Sequence, residues 1–311
     1  MEFRQLTSLV ALVESDYNVS RAAQRLHLVQ PAVSQHLKQL EEELGVGLFR
    51  RNGKRLTGLS EAGEQVLHYA RKILSDAENI LSVGQEHRAE ERGILRLGTT
   101  HTQARYVLPP ILRHFSEIYP AVEVQIFEGN PRELIDMALE DKVDFAICTE
   151  ALERHPELSS IACNRWNRCL IAPKANPVLA QEEVTLKALC RYPLITYVAG
   201  FTGRGHIDET FRRAGLTPHV VLSATDTDVI KTYVREGMGI GIIAELAYER
   251  DKDSDLAIRV LNHLFPWEVT QIGYRRDMYL RTYQRRFIEI FQEISARMGQ
   301  GEDEQSANER E

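Results

Sequence analysis

Two groups of residues have the types and spacing to do chemistry, and in both the chemistry is recognition. The first is Thr99, Thr100, Thr102 and Gln103. They stand where a strand pattern over residues 94–100 gives way to a helical pattern over 102–119. Hydroxyls, an amide and unpaired main-chain N–H groups there meet the positive end of a helix dipole, which makes an anion site. Thr149 ends a neighbouring strand pattern, and Thr202-Gly203 stands before a later helix. Strand C-termini are where α/β ligands bind. The set suits a small oxoanion or an acetylated amino acid. Threonine is equally favoured at helix caps and strand ends, so residue chemistry alone leaves both readings open. The second group is Ser20, then Gln30, Ser34, Gln35 and Lys38, then Arg50, Arg51, Lys54 and Arg55. Amides and hydroxyls read base edges and cations grip phosphates.

No residues are spaced for catalysis. Gly237-x-Gly239-x-Gly241 follows a helical pattern and leads into a strand, the reverse of a dinucleotide fingerprint. His27, His36 and His101 are scattered, and none has metal-ligand spacing. No nucleophile elbow occurs. Cys148, Cys163, Cys169 and Cys190 show no CxxC pattern and are expected to be reduced and buried. No metal and no cofactor is called for.

The recognition residues need elements to hold them. Residues 19–44 read as two short amphipathic helices meeting at a tight turn. The second opens with Gln30-Pro31; proline at the first helical position loses no hydrogen bond. Val33, Leu37, Leu40 and Leu44 form its apolar face, leaving Ser34, Gln35 and Lys38 outward. This is a helix-turn-helix pattern whose second helix is the candidate for the major groove. Phe3, Leu6, Leu9, Val10 and Val13 stripe a preceding helix, Asn18 or Ser20 caps the next, and Ala22 and Ala23 allow close packing. The same stripes would suit an ordinary helical hairpin. The neighbouring cations decide for DNA: Asn52-Gly53 predicts a type I′ hairpin turn, and Arg50, Arg51, Lys54 and Arg55 straddle it as a wing.

Residues 60–88 read as one helix roughly 40 Å long. Val66, Ala70, Ile73, Ala77, Ile80 and Gly84 make a heptad seam that needs a partner, most simply the same helix of a second copy. Two heads so joined would read two half-sites. The charged run 86–92 before Gly93 reads as a hinge. Beyond it strands alternate with helices, which indicates α/β. The strands are expected at 94–100, 122–127, 145–149, 169–172, 194–197, 219–222, 239–243 and 269–274. A kink is expected at Pro109-Pro110, and a last helix over 279–298 is expected to return to the first α/β lobe. The tail from Gly299 reads as acidic and disordered.

Composition agrees. The 311 residues carry a net charge of −7, but residues 1–60 hold eight Lys/Arg against six Asp/Glu. A basic head on an acidic body follows. No apolar run reaches membrane length, and Met1-Glu2-Phe3-Arg4 leads directly into a helix, so a cytoplasmic, nucleoid-associated protein is expected.

These residues resemble the LysR family of bacterial transcriptional regulators. In the head the resemblance rests on the Ala22-Ala23 helix, QPAVSQHLKQLEEELG, LFRRNGKRLT and Glu61-Ala62-Gly63. One departure is Val29, where the family usually has Ser or Thr before the Gln-Pro; a hydroxyl that could cap the helix or touch a phosphate is lost. In the body THTQARYVLP, DFAICTEAL, RWNR, GFTGR, AGLTP and ATDTDVIKTYV look like the CysB/Cbl branch, which controls sulfur assimilation and cysteine synthesis. The resemblance implies an α/β fold in three parts: a winged helix-turn-helix over 1–59, a linker (dimerisation) helix and hinge over 60–92, and a two-lobed effector domain of the periplasmic-binding-protein type over 93–298. Lobe I would be 93–163 with 265–298, and lobe II 164–264. It also implies promoter DNA and RNA polymerase as partners and a homotetramer built from dimers. The implied effectors are N-acetylserine, O-acetylserine, sulfate, thiosulfate or adenosine phosphosulfate, held by Thr100, Thr102, Gln103, Thr149, Trp166 and Thr202. A regulator of the same family answering to another anion or a carboxylate would leave the head unchanged. A transport-type solute-binding protein would need a signal segment and no head, and an enzyme would need a catalytic constellation.

Overall fold

The computed structural model describes residues 1–53, 55–86, 92–149, 152, 155–201 and 203–308. They divide into two compact units, Met1–Glu90 and Glu91–Glu311.

The first unit is built on three helices: α1 (Phe3–Glu14), α2 (Val19–Arg25) and α3 (Gln30–Leu44). The N-cap of α2 is Asn18, whose side chain accepts from the Arg21 N–H. Leu9, Leu12, Ala22, Val33 and Leu40 meet in a dry core. The buried stripe of α1 is rotated from the expected one. Phe3 is exposed, while Gln5 and Ser8 are buried because they reach α3, Gln5 Nε2 donating to Glu43 and Ser8 Oγ bonding His36 Nδ1. Leu44 is also exposed, contrary to its place in the stripe. Gly45, at φ +67°, ends the helix at that residue and turns the chain away from the core. No side chain caps α3, since Val29 has no hydroxyl to offer.

A hairpin follows, β1 (Phe49–Asn52) and β2 (Arg55–Leu59). Its turn lies one residue later than the Asn52-Gly53 reading placed it. Asn52 pairs with Arg55 inside the ladder and Gly53 takes the positive φ, while a bulge at Arg50/Arg51 sharpens the twist. Helix α4 (Glu61–Glu86) begins with the Ser60 hydroxyl accepting from the Gly63 N–H. Gly63 is required there: a Cβ would collide with the Leu48 carbonyl. The heptad seam divides in two. Leu67 and Ala70 are buried and Val66, Ile73 and Leu74 partly so, all packed into the head's own core, whereas Ile80 and Leu81 are exposed. The hinge expected at 86–92 lies mostly outside the described residues.

The second unit has two lobes. In chain order lobe I contributes β3 (Gly93–Thr99), a π-helical turn (Gln103–Val107), α5 (Leu108–Ile118), β4 (Val122–Glu128), α6 (Pro131–Leu139), β5 (Phe145–Cys148) and β6 (Leu158–Trp166). Lobe II contributes β7 (Arg168–Pro173), α7 (Leu186–Leu189), β8 (Leu194–Tyr197), α8 (Arg204–Arg213), β9 (Val220–Ala224), α9 (Thr227–Arg235), β10 (Ile240–Ala244) and β11 (Leu256–Val260). The chain returns to lobe I through β12 (Glu268–Arg275) and α10 (Thr282–Asn308). The lobe I sheet has the order β4-β3-β5-β12-β6 and the lobe II sheet β11-β7-β10-β8-β9. Phe287 and Phe291 of α10 pack on Phe115 of α5 over the lobe I sheet, so the last helix does return to the first lobe.

Three expectations need correcting. Strands β6 and β11 were not foreseen; both lie at sheet edges, where burial is partial and the apolar pattern is broken. The break expected at Pro109-Pro110 falls one turn earlier. The two prolines lack N–H groups for the carbonyls four residues back, and the helix widens so that the Leu108 N–H bonds Gln103 instead. Helix α10 runs to Asn308, beyond the end expected at Met298.

Candidate functional site

On the head, Gln30, Pro31, Ser34, Gln35 and Lys38 are all exposed along one side of α3, and Ser20 is exposed in the first turn of α2. Arg50 and Arg55 are exposed on the wing; Lys54 lies outside the described residues. Arg51 is tied down. Its Nη2 lies 2.7 Å from Glu41 Oε2, and the other oxygen of Glu41 accepts from the Leu48 N–H. Glu41 thus fastens the wing to the reading helix. A groove lined by Gln30, Ser34, Lys38 and Arg51 runs between the two.

In the body, the end of β3 and the following turn bring together Thr99, Thr100, Thr102 and Gln103, each 6% exposed or less. Thr99 is used internally, donating to the Ile147 carbonyl at 3.2 Å. Thr149 follows the adjacent strand β5 and is half-buried. Trp166 ends β6 and is 3% exposed. Thr202 lies outside the described residues. Its neighbour Gly203 holds φ +68° at the start of α8, against the fully buried Arg168. The Arg168 guanidinium donates to the Gly203 carbonyl at 2.9 Å, pairs with Glu268 at 2.5 Å and lies over the Trp166 ring.

The polar groups here are incompletely satisfied. Among the described residues, the buried side-chain atoms without a hydrogen-bond partner include His101 Nε2, Thr102 Oγ1, Gln103 Oε1, Asn164 Oδ1, Trp166 Nε1 and Arg168 Nε. All belong to the turn after β3 or to the stretch where the chain passes between lobes. Each such atom costs about 1–3 kcal/mol when nothing meets it, so each calls for a partner, whether water, ion or ligand. Thr102 approaches the Tyr197 hydroxyl without hydrogen-bond geometry. Tyr197 instead bonds Thr227 at 2.7 Å and accepts from the Ala244 N–H; burial pushes its pKa up to about 12, so it stays a neutral group.

Beside this cluster the lobes are joined by a polar latch that sequence reasoning missed. Arg105 and Tyr106, in the π-helical turn of lobe I, both donate to Asp228 of α9, at 2.9 and 2.8 Å. Tyr106 Oη also accepts from Lys231 Nζ at 3.2 Å, and Lys231, 2% exposed, pairs with the buried Asp253 at 2.5 Å. Burial works against the charge on Asp228, yet Tyr106 and Arg105 hold its carboxyl below the ordinary range. Asp253 is lowered in the same way, by Lys231, the Glu249 N–H and Arg235 against the cost of burial. His101, Asp226 and Asp228 bring ligand atoms within 4.8 Å of one another, a grouping no sequence spacing announces. Asp226 already caps α9 and Asp228 already pairs with Arg105. Of the missed residues, Arg105 and Tyr106 lay in THTQARYVLP, Asp228 and Lys231 in ATDTDVIKTYV and Arg168 in RWNR, but their pairing across the lobes was not readable from those stretches.

A DNA-reading head and a two-lobed ligand-binding body define a one-component regulator. Comparison with known proteins agrees: residues 3–64 match the bacterial regulatory helix-turn-helix of the lysR family and residues 88–296 the LysR substrate binding domain. The chain belongs to the LysR family of transcriptional regulators. It is 42% identical over 291 residues to the regulator SsuR of Burkholderia cenocepacia, covering 94% of each chain. It is 40% identical to CysB of Haemophilus influenzae, covering 94% of this chain and 90% of that one. Among solved structures, the cofactor-binding domain of the Cbl regulator matches with a TM-score of 0.64 at 37% identity, over 66% of this chain and 90% of that one. Among the described residues no helix is long and apolar enough to cross a membrane.

Proposed function

We propose that this LysR-type regulator controls genes of sulfur assimilation and cysteine biosynthesis, and that a small effector between the lobes switches it. The candidates are N-acetylserine, O-acetylserine, sulfate, thiosulfate and adenosine phosphosulfate. The observation that carries the reading is the concentration of unpartnered buried polar atoms around Thr102, Gln103 and Trp166. The similarity to SsuR, CysB and Cbl along nearly the whole chain supports the pathway. Thr100, Thr149 and Thr202 complete the effector set. Gln30, Ser34 and Gln35 read bases from α3, with Pro31 fixing its entry, while Ser20, Lys38, Arg50, Lys54 and Arg55 hold phosphates and Arg51, paired with Glu41, anchors the wing beside them. The exposed half of α4 joins two copies, dimers pair into a tetramer, and the assembly works in the cytoplasm with RNA polymerase. Effector binding draws the lobes together and alters the spacing of the heads, a coupling of about 1–3 kcal/mol.

Calorimetric titration of the full chain with the five compounds, repeated with Thr100→Ala, tests the reading. Binding of at least one, lost in the variant, is expected. Silence for all five from folded protein would overturn the pathway assignment and leave a LysR regulator of another anion. Footprints on promoter DNA that do not change with saturating effector would remove the proposed switch.

A further inference from the structure

Val29 breaks two local rules at the start of the reading helix. As the N-cap of α3 it offers no side-chain acceptor, although hydroxyl and amide side chains are the ones that stabilise that position. In the first turn Pro31 has no N–H, and the Ala32 and Val33 N–H groups fall back on the Val29 carbonyl at 3.0 and 3.4 Å. Helical spacing would also place Val29, four residues before Val33, in the core of the head. Its extended backbone, φ −84° and ψ 145°, takes it out instead: Val29 is 69% exposed, while Val33 and Leu37 are buried. The isopropyl group thus neither caps the helix nor packs in the core. It stands in water immediately before Gln30 and Pro31, at the end of α3 that also carries the exposed Ser34 and Gln35. Departures from local rules of this kind belong to functional surfaces.

Residues at the N-terminal end of a reading helix are the ones that reach base edges. In its major groove duplex DNA presents donors, acceptors and one apolar group, the C5-methyl of thymine. An apolar side chain at this end of α3 therefore has one complementary group to meet. We infer that Val29 is a specificity-determining residue that packs on a thymine methyl in each half-site, giving the reading helix a T·A preference beside the pairs read by Gln30, Ser34 and Gln35. The inference rests on the reading that α3 enters the major groove. The contact withdraws Val29 and the methyl from water together, and deleting the methyl should weaken binding about fourfold per half-site. A serine hydroxyl at this position would serve the helix end and lose the discrimination.

The test uses the full-length protein and DNA duplexes carrying a randomised stretch. Repeated selection gives the preferred sequence, and each thymine in it is then replaced in turn by deoxyuridine. Deoxyuridine keeps the pairing edge and the O4 acceptor and lacks only the methyl. One thymine in each half-site is expected to respond, and replacing it in both half-sites together should cost about fifteenfold in affinity. Val29→Ala and Val29→Ser are expected to bind the thymine and deoxyuridine duplexes equally at that position. The deoxyuridine series on the natural chain does not depend on how the variants fold. Deoxyuridine tolerated at every position would overturn the inference, and so would a penalty that persists undiminished in both variants. In either case a selected sequence that changes with Gln35→Ala would leave α3 in the groove. A natural chain that prefers no sequence over another would remove the base reading of α3 and the inference together.

Discussion

Replacing Tyr106 with phenylalanine deletes one oxygen and keeps the ring, which is 8% exposed and packed with Trp166 and Tyr197. No cavity of consequence forms, so the effect isolates the hydroxyl. That hydroxyl donates to Asp228 Oδ1 at 2.8 Å and accepts from Lys231 Nζ at 3.2 Å. A hydrogen bond to a charged group contributes about 1.5–3 kcal/mol. Arg105 still pairs with Asp228 and Asp253 still pairs with Lys231, so neither charge is stranded. The net loss should be about 2 kcal/mol, roughly thirtyfold in the equilibrium holding the lobes together. In a body of this size that is a fall of about 4–8 °C in the unfolding midpoint. The assay is thermal unfolding of Tyr106→Phe, Asp228→Asn and the double variant. The two changes should be coupled by about 1.5 kcal/mol. Additivity to within about 0.5 kcal/mol would show that the two groups do not act on each other and would refute the latch.

Three further outcomes are expected. Lys231→Met removes the buried partner of Asp253 but leaves it Arg235 and the Glu249 N–H, so it should cost about 1.5–3 kcal/mol by urea unfolding; a loss below about 0.5 kcal/mol would mean that water reaches the pair. The Asp253 carboxyl is held below its unfolded value of about 3.9, so its stabilisation is complete above that pH and is lost as pH falls through the lower folded value. Unfolding curves from pH 6 to pH 2 should therefore be flatter for Asp253→Asn than for the natural chain, and parallel curves would contradict the assignment. On DNA, Arg50→Ala and Arg55→Ala should each reduce the salt slope of binding by about 0.9. Arg51→Ala should change it less, because that guanidinium already serves Glu41; equal slopes for all three variants would put Arg51 on phosphate.

The head was largely legible in the sequence because its information is local. Periodicity fixed α1 to α3, proline marked the start of α3, and Asn52-Gly53 announced a hairpin to within one residue. The misreadings at Phe3 and Leu44 came from treating a stripe as if it continued through a helix end. In the body, Thr102 and Gln103 were found because a strand end and a helix start adjoin in the chain. The latch was not legible: Tyr106 and Asp228 are 122 residues apart, and an isolated acid beside a helix cap resembles any other. Strand β6 was missed because it sits at a sheet edge, where the apolar pattern is broken.

The route of the chain between the lobes carries a consequence for how such proteins can be rebuilt. The outgoing stretch Asn167-Arg168 and the returning stretch Leu261–Phe265 are stitched together, the Leu261 N–H on the Arg168 carbonyl at 3.0 Å and the Asn167 amide on the Phe265 carbonyl at 3.2 Å. Lobe II is thus a cassette whose two ends are neighbours, inserted between β6 and β12 of an otherwise continuous lobe I. Its seam is two strands wide. A graft that keeps Asn167, Arg168 and Glu268 would exchange the whole second wall of the binding site while lobe I kept its sheet unbroken, so one head and one dimer could be given a different chemical sense through a single exon-like unit.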